Sequence, residues 1–337
     1  MKSYHIDPSG NGNEINARSM PVPDPGHRQV VVRLHAASLN YRDLMILDGR
    51  YPIPAVAGVV PLSDGAGEVV GVGPGTATLC VGDRVMGLYF PRWMGGSLAL
   101  DLARYQPGCT LDGMATEYCV ADEDAFIKIP AHLNFDEAAT LPCAGLTAWT
   151  AVNGGRPILP GTTVAVIGGG SVAMFAIQFA STLGARVVAV TRDVSKSPLL
   201  RTQGADEVLA GVPDSDLSKE LLRLTSGQGP ECIINAVGPT LLEPCIHSCA
   251  FGGEIVLVGA TTGNVPFSPT LFSGKLLTIR RVAVGSRSDF TAMNRAVAHR
   301  QIRPVIDRKF AFDRLPDAYQ HFVEQRHRGK VVVAIEH

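Results

Sequence analysis

A glycine-rich stretch at 168–173 carries the most distinct chemistry in this sequence. It reads GGGSVA and fits the pattern G-x-G-x-x-A. The stretch lies between an apolar strand-like run and a helical pattern, where glycine permits a sharp turn and lets a pyrophosphate approach the backbone. The N-terminus of the following helix would add unpaired N–H groups and the positive end of a dipole. We expect five of these residues to bind a dinucleotide: Gly168, Gly169, Gly170, Ser171 and Val172.

The residues at the end of the next predicted strand indicate which dinucleotide binds. Thr191 stands there, followed by Arg192, with Lys196 nearby. An NAD site usually places Asp or Glu at this point, whereas a hydroxyl and two cations favour a 2′-phosphate. We therefore expect NADP(H) rather than NAD(H), with Thr191, Arg192 and Lys196 as ligands. Two alternatives are an Asp193 turned inward to serve an NAD ribose, and cations that are only solvated loop charges.

These motifs belong to an alternating pattern that runs from about 134 to 285. Apolar runs predict buried strands at 164–167, 187–190, 232–235 and 255–258. Helical spacing predicts helices at 171–183, 195–203 and 241–249. The alternation implies βαβ crossovers and a parallel sheet that binds its ligand at the carboxyl ends of the strands. Five more residues at those ends are therefore expected to contact the cofactor: Asn235, Gly238, Gly259, Gly285 and Ser286.

The remainder of the chain has a different character. From 30 to about 129 it consists of short β-branched runs bounded by turn formers, which predicts a β-rich domain. The tail carries helical patterns at 289–299 and 315–325 and a closing strand at 331–333. We expect the tail to return to the first domain, because a final strand needs a sheet to join.

Length and composition exclude several classes of protein. A chain of 337 residues, 46% hydrophobic and 18% charged, suits two well-filled domains. The net charge is −1 and the basic residues are spread out, which argues against nucleic acid as a partner. We expect no membrane segment, no secretory signal and a cytoplasmic location. The seven cysteines include no CxxC pair, which indicates reduced thiols rather than a disulfide framework.

Six further motifs, in order around the glycine loop, give the chain a resemblance to the medium-chain dehydrogenase/reductase superfamily over nearly its whole length. They are SLNYRD at 38–43, GRYP at 49–52, DGAGEV at 64–69, VGDRV at 81–85, LPCAGLTAW at 141–149 and GKVV at 329–332. Within the superfamily, the chain resembles zinc-independent quinone oxidoreductase-like and alcohol dehydrogenase-like members. Lys330, in the last motif, is expected to contact the cofactor.

The resemblance implies an α/β protein of two domains. A doubly wound parallel sheet of the Rossmann type would span 129–285, and a β-rich GroES-like catalytic domain would span 1–128, with 286–337 returning to it. The resemblance also implies a cleft between the two domains and, commonly, a homodimer.

Zinc-dependent members of the superfamily carry ligands that this sequence largely lacks. Asn40 stands in the region of their first Cys, and Leu62-Ser63-Asp64 replaces their Gly-His-Glu motif without its His. Cys143 matches a later ligand, but a single thiol cannot hold a metal that needs three protein ligands. The segment 88–113, where a structural zinc lobe would lie, contains only Cys109. We expect no zinc.

Without zinc, hydrogen-bond donors must polarise the substrate oxygen while the nicotinamide carries the hydride. Tyr51 is the first choice, because related enoyl reductases place a Tyr in this segment that protonates or orients the substrate; the alternative is an aromatic wall. Asn40 either donates to a substrate carbonyl or caps the following helix. Thr147 is the third candidate donor. Three residues are expected to line the substrate pocket: Tyr41, Trp93 and Phe272.

Three functions are consistent with this set of residues. The leading hypothesis is NADPH-dependent reduction of a quinone or an α,β-unsaturated carbonyl. The second is a metal-free NAD(P)-dependent alcohol dehydrogenase or carbonyl reductase, which differs in the carbon that receives the hydride. The third is a non-catalytic NADPH-binding protein, which would bind the cofactor tightly and turn over no acceptor.

Overall fold

The computed structural model describes residues 1–9, 12–259, 274–324 and 327–337. By their contacts they form two compact units, one of Met1–Leu146 with Gly285–His337 and one of Thr147–Val284. Residues 129–146 thus group with the first unit, although the resemblance assigned them to the second domain. In the described ranges, no helix is long and apolar enough to cross a membrane.

The strands and helices are numbered here along the chain. The strands are β1 (Lys2–Ser9), β2 (Gly12–Ser19), β3 (Gln29–Ser38), β4 (Asp64–Val72), β5 (Arg84–Gly87), β6 (Tyr118–Asp122), β7 (Phe126–Lys128), β8 (Thr163–Ile167), β9 (Arg186–Thr191), β10 (Glu207–Ala210), β11 (Cys232–Asn235), β12 (Glu254–Val258), β13 (Thr278–Val282), β14 (Ile306–Ala311) and β15 (Lys330–Ala334). The helices are α1 (Tyr41–Leu47), α2 (Leu100–Ala103), α3 (Phe135–Ala138), α4 (Leu146–Asn153), α5 (Ser171–Thr182), α6 (Ser197–Thr202), α7 (Leu217–Leu224), α8 (Leu242–Ser248), α9 (Arg287–Arg300) and α10 (Leu315–Val323).

The first unit is built on a mixed sheet with the order β14-β15-β3-β4-β5-β7, and β6 also pairs with β3. Strand β3 is central, and its alternate residues Val30, Val32 and Leu34 point into the main hydrophobic core. The closing strand β15 pairs antiparallel with β3 and parallel with β14. This pairing brings the start of β15 close to the end of β3, where α1 begins.

The second unit contains a parallel sheet with the order β10-β9-β8-β11-β12-β13. The chain moves outward from β8 to β10 and then returns to β11 on the other side of β8. Buried apolar strands such as β8 and β11 have no exposed face, as expected for a sheet covered by helices on both sides. The reversal creates a switch point between β8 and β11, where such sheets bind ligands. The predicted combination of a parallel Rossmann-type sheet and a separate β-rich domain is confirmed.

Candidate functional site

The glycine loop of the second unit connects β8 to α5. Gly168 has φ +127°, a backbone conformation that favours glycine. A Cβ on Gly169 would lie 3.0 Å from Thr191 Oγ1 and 3.1 Å from Lys196 Cδ, so the backbone runs close to the end of β9. A Cβ on Gly170 would meet nothing within 4 Å, which leaves open space before the helix. The loop is therefore a cradle that larger side chains would fill.

Helix α5 starts directly after this cradle. Ser171 and Val172 form its first turn, where backbone N–H groups have no partner within the helix. The helix runs for 12 residues, and most of its later side chains are buried. It is long enough to present a positive dipole end to an anion in the loop.

The residues that we predict to bind the 2′-phosphate of NADP(H) lie in the turn after β9. Thr191 is buried, and the Lys196 ammonium donates to the Gly169 carbonyl at 3.2 Å. Arg192 is exposed and pairs with Asp214, with 2.6 Å between Nη2 and Oδ2. Asp193 accepts hydrogen bonds from the backbone and hydroxyl of Ser195 in its own turn. The turn thus holds Asp193 and places Lys196 against the glycine loop, while the Arg192 side chain pairs with Asp214.

The loop after β11 lies beside the glycine loop. The Asn235 carboxamide closes this loop, because Oδ1 accepts from the N–H groups of Val237 and Gly238 and Nδ2 donates to the Gly238 carbonyl. A Cβ on Gly168 would lie 3.6 Å from Ala236 Cβ. Asn235 therefore shapes the switch-point loop, and its side chain is not left open to a ligand.

The other predicted cofactor contacts are spread over both units. Gly259 follows β12 with φ +93°, and its carbonyl accepts from Arg281. Gly285 and Ser286 belong to the first unit, where Ser286 caps α9 through its hydrogen bonds with Asp289. The Ser286 hydroxyl and backbone N–H both donate to Asp289, so this cap engages the residue. These contacts stay predictions.

The predicted pocket residues differ in their surroundings. Tyr41 is exposed at the first position of α1. The Trp93 carbonyl accepts from the Arg287 N–H at 2.9 Å, which ties the loop around 93 to the start of α9. Thr147 is buried in the first turn of α4 in the second unit. Phe272 lies outside the described residues.

Asn40 and Lys330 meet in the interior of the first unit. Asn40 precedes α1 as its N-cap residue, and its backbone N–H donates to the Asp43 carboxylate at 2.7 Å. Its side-chain Oδ1 accepts from Lys330 Nζ at 2.6 Å. The same ammonium donates to the Leu39 carbonyl at 2.7 Å. The Asn40 side chain is thus engaged with a buried cation.

A buried carboxylate completes this cluster. Asp64 Oδ2 lies 3.7 Å from Lys330 Nζ and accepts from the Cys143 backbone N–H at 3.1 Å. Its Oδ1 accepts from the Ser63 hydroxyl at 2.7 Å. Burial, with a contribution from the Asp64 charge, raises the pKa of the Cys143 thiol well above its ordinary value. The thiol is therefore held in its protonated form.

Tyr51 belongs to a second polar cluster, which surrounds the Arg42 guanidinium. Its hydroxyl donates to Gln106 Oε1 at 2.7 Å and lies 3.0 Å from the Tyr89 hydroxyl. The Arg42 guanidinium lies over both rings, 5.2 Å from the Tyr51 centroid and 4.9 Å from that of Tyr89. Because the single hydroxyl hydrogen of Tyr51 points to Gln106, Tyr89 is the donor within the pair.

The charges beneath this pair are buried. Burial raises the pKa of Tyr89 well above its ordinary value, so Tyr89 stays protonated. Arg42 donates to the Pro107 carbonyl and lies 3.7 Å from the Asp43 carboxylate. Burial also raises the pKa of Asp43, against the opposing effect of Arg42. The guanidinium is fixed in place and provides a permanent positive charge under the two phenols.

Comparison with known proteins decides the family. A family model described as "Alcohol dehydrogenase GroES-like domain" matches residues 26–131, and one described as "Zinc-binding dehydrogenase" matches residues 171–299. A zinc-type alcohol dehydrogenase-like protein of Schizosaccharomyces pombe is 37% identical over 96% of both chains. The chain belongs to the medium-chain dehydrogenase/reductase superfamily. It is accordingly an NAD(P)-dependent oxidoreductase.

Solved structures of superfamily members resemble this one over the whole chain. A structure described as a candidate alcohol dehydrogenase of Sinorhizobium meliloti 1021 has a TM-score of 0.93 at 30% identity, covering 99% of this chain and 98% of that one. An NAD-dependent alcohol dehydrogenase has a TM-score of 0.88 at 31% identity, with both chains covered completely. The resemblance stated from the motifs is thereby confirmed.

The relatives imply two bound groups, a nicotinamide dinucleotide and a zinc ion. The residues of this chain fit the first of them. The glycine cradle, the open space before α5 and the nearby cations suit the phosphates of a nicotinamide dinucleotide. A catalytic zinc does not fit the cluster around Asn40, because a carboxamide and a hydroxyl are not the ligands that zinc prefers and the buried Lys330 ammonium would repel the metal. Among the described residues, no three His, Cys, Asp or Glu side chains are grouped to hold a metal.

One predicted cofactor contact needs correction. Lys330 is completely buried, and its ammonium donates to Leu39 and Asn40 within the first unit. An ammonium committed to these oxygens cannot reach a phosphate in solvent, so we no longer assign Lys330 to the cofactor. Sequence reasoning also missed Arg42, Tyr89 and Gln106, although Arg42 lies inside the SLNYRD motif and offered a signal.

Proposed function

We propose that this superfamily member is an NADPH-dependent, zinc-independent reductase of a quinone or an α,β-unsaturated carbonyl. One observation carries the proposal: a buried ammonium, Lys330, holds Asn40 where zinc-dependent relatives begin their ligand set. A hydrogen-bond donor backed by a fixed cation then takes the place of a Lewis acid at the substrate oxygen.

The cofactor assignment rests on the turn after β9. Lys196 donates to the Gly169 carbonyl of the glycine loop, and Arg192 directly follows β9. An arginine can bind a 2′-phosphate through two charge-assisted hydrogen bonds. Arg192 can exchange its exposed partner Asp214 at little cost, because surface ion pairs contribute at most about 1 kcal/mol. The NAD-dependent structural relative supports NAD(H) as the alternative. When bound, the reduced cofactor supplies a hydride.

The donors of the first unit suit a conjugated substrate better than an alcohol. When hydride reaches the β-carbon of an enone, the C=C electron pair moves toward the carbonyl and leaves an enolate. An enolate or hydroquinone anion is a much weaker base than an alkoxide, so hydrogen-bond donors suffice to stabilise it. Asn40 Nδ2 supplies the N–H group for this oxygen. Removing a proton from an alcohol would require a metal or a strong base instead.

Tyr51 supplies the proton that completes the reduction. Its O–H bond breaks as the enolate α-carbon forms a C–H bond, and the Arg42 charge stabilises the phenolate oxygen that remains. Tyr51 is partly exposed and regains its proton from solvent, while the buried Tyr89 donates a hydrogen bond to it. Thr147 stays a candidate donor, and Tyr41 and Trp93 candidate pocket residues.

A second candidate is a metal-free alcohol dehydrogenase or carbonyl reductase. It is favoured by the names of the similar proteins, which describe alcohol dehydrogenases. In this case the hydride reaches the carbonyl carbon, and Asn40 and Tyr51 act on the resulting alkoxide.

The test uses the purified protein treated with a strong chelator and checked for metal. NADPH oxidation is followed with quinones, enones, aldehydes and ketones, before and after chelation and with added Zn²⁺. We expect turnover of quinones or enones that neither treatment changes. Loss of activity on chelation with recovery on Zn²⁺ would contradict the proposal, and turnover of aldehydes or simple ketones alone would establish the second candidate.

We also propose a cytoplasmic homodimer. Strand β13 is the edge of the parallel sheet and only partly buried, so a second copy can extend the sheet there. Buried thiols such as Cys232 and Cys245 suit a reducing compartment. Sedimentation of the purified protein tests the assembly.

A further inference from the structure

The contact between Lys330 and Asn40 fixes the orientation of the carboxamide. An ammonium has three donors and no acceptor, so the Asn40 atom at 2.6 Å from Nζ must be the oxygen. The two ends of an Asn side chain are otherwise hard to assign, because oxygen and nitrogen differ little in shape. Here the positive charge of Lys330 identifies the oxygen of the Asn40 side chain. The NH₂ group of Asn40 therefore faces away from Lys330.

The NH₂ group retains hydrogen-bonding capacity. Nδ2 has two hydrogens, and among the described residues it has one hydrogen-bond partner, Ser63 Oγ, at 3.5 Å, the limit of a hydrogen bond. Lys330, Ser63 and Asp64 are 0% exposed, whereas Asn40 retains 7%. Asn40 is thus the member of these four through which the buried charges can act on a ligand.

The ammonium also strengthens Asn40 as a donor. A cation at Oδ1 draws electron density from the amide and polarises its N–H bonds, as in any chain of hydrogen bonds in a low-dielectric interior. Asp64, 3.7 Å from Nζ, balances the charge so that the ammonium is tolerated in a fully buried position. The pairing of β15 with β3 supplies the rigid support, since Lys330 is the first residue of β15.

We propose that Lys330 is the positioning residue of the reductase site: it holds Asn40 with Nδ2 directed at the substrate carbonyl and polarises that donor. This assignment rests on the proposed function, in which Lys330 and Asn40 together take the place of the zinc ion of zinc-dependent relatives. Lys330 acts through Asn40 and touches neither substrate nor cofactor. The competing role is purely structural, in which Lys330 only neutralises Asp64.

Two variants separate these roles. Asn40→Asp keeps the shape and the contact with Lys330 but replaces the NH₂ donor by an acceptor oxygen. Lys330→Met combined with Asp64→Asn removes both buried charges and leaves no unpaired ion. Lys309→Met is the matched control, because it removes an exposed, paired lysine from the neighbouring strand β14. For each protein we would measure kcat, KM, the NADPH dissociation constant and the melting temperature.

We expect Asn40→Asp to lower kcat by about 100-fold or more, the usual effect of losing one oxyanion donor. The double variant should lower kcat with little change in KM, NADPH affinity or melting temperature, and Lys309→Met should match the wild type. Full kcat in a folded Asn40→Asp variant would overturn the proposal. So would a double variant that melts earlier but keeps kcat, because that is the signature of a structural role.

Failure of the proposed function would look different. It would appear as a wild-type protein that reduces no quinone, enone or carbonyl. The orientation of Asn40 would then be tested without turnover, by ¹⁵N NMR of the lysine ammonium groups. We expect one slowly exchanging signal that is lost in Lys330→Met with Asp64→Asn and shifted in Asn40→Asp. No protected ammonium signal in the wild type would overturn the inference itself.

Discussion

Lys330 Nζ and Asn40 Oδ1 lie 2.6 Å apart although 290 residues separate them in the chain. The contact forms because β15 pairs antiparallel with the end of β3, where Val332 lies opposite Ser38. The chain then leaves β3 and turns into α1 at Asn40. The pairing of the two strands thereby fixes the Lys330 ammonium beside the Asn40 side chain, directly after the end of β3.

We propose that Arg192 gives the site a preference for NADPH. Arg192→Ala should raise the NADPH dissociation constant by about 10- to 100-fold, since a hydrogen bond to a charged group contributes about 1.5–3 kcal/mol. NADH binding should be unchanged, because NADH has no 2′-phosphate. Asp214→Ala is the control: it frees Arg192 and should leave NADPH binding as tight or tighter. Quenching of intrinsic fluorescence measures the dissociation constants of both cofactors for the wild type and the two variants. Equal weakening of NADPH and NADH binding in Arg192→Ala would refute the assignment.

Tyr51 and Tyr89 should contribute unequally to turnover. Tyr51→Phe keeps the ring over Arg42 and removes the proton donor, so kcat for an enone should fall about 100-fold or more. Tyr89→Phe removes only the hydrogen bond that Tyr89 donates to Tyr51 and should have a smaller effect. Steady-state kinetics at saturating NADPH measures both. A Tyr51→Phe enzyme with undiminished kcat would assign Tyr51 to the pocket wall.

Acid stability of the first unit should depend on Glu123. Hydrogen bonds from the hydroxyl and backbone of Thr78 and from the Ala77 N–H lower the pKa of this buried carboxylate to about 2. Since the folded pKa lies below the ordinary value of 4.5, the stabilisation is present above pH 4.5 and is lost between about pH 4.5 and about 2.

Glu123→Gln should therefore flatten the decline of unfolding free energy in that window. Urea unfolding of the wild type, of Glu123→Gln and of the exposed control Asp124→Asn gives the comparison. An identical pH dependence in the wild type and Glu123→Gln would show that this carboxylate carries no such linkage.

The cofactor loop could be predicted from the sequence because the residues that identify it are adjacent in the chain. Gly168, the apolar run before it and the helical pattern after it are adjacent, so a single stretch predicts the strand, the turn and the helix together. Strand β15 was also predictable, as a β-branched run at 331–333. Helix α1 was anticipated only as the helix that Asn40 would cap, because its seven residues are too few to establish helical periodicity.

The donor clusters were only partly predictable. Asn40 and Tyr51 were named as candidates from their motifs, but their partners come from distant segments. Gln106 reaches Tyr51 across 55 residues, and no local pattern links the two. Lys330 was assigned to the cofactor, because nothing in the sequence indicates that its strand buries the side chain against Leu39 and Asn40. Such contacts depend on which distant segments pack together, and this cannot be derived from a single sequence.

We propose that this site reduces a conjugated substrate by adding hydride at the β-carbon without zinc. Metal-free enzyme is incubated with an enone and with NADPH deuterated at the transferred position of the nicotinamide, and the product is examined by NMR and mass spectrometry. We expect a saturated carbonyl product with deuterium on the β-carbon. An allylic alcohol with deuterium on the former carbonyl carbon would contradict it and establish a carbonyl reductase.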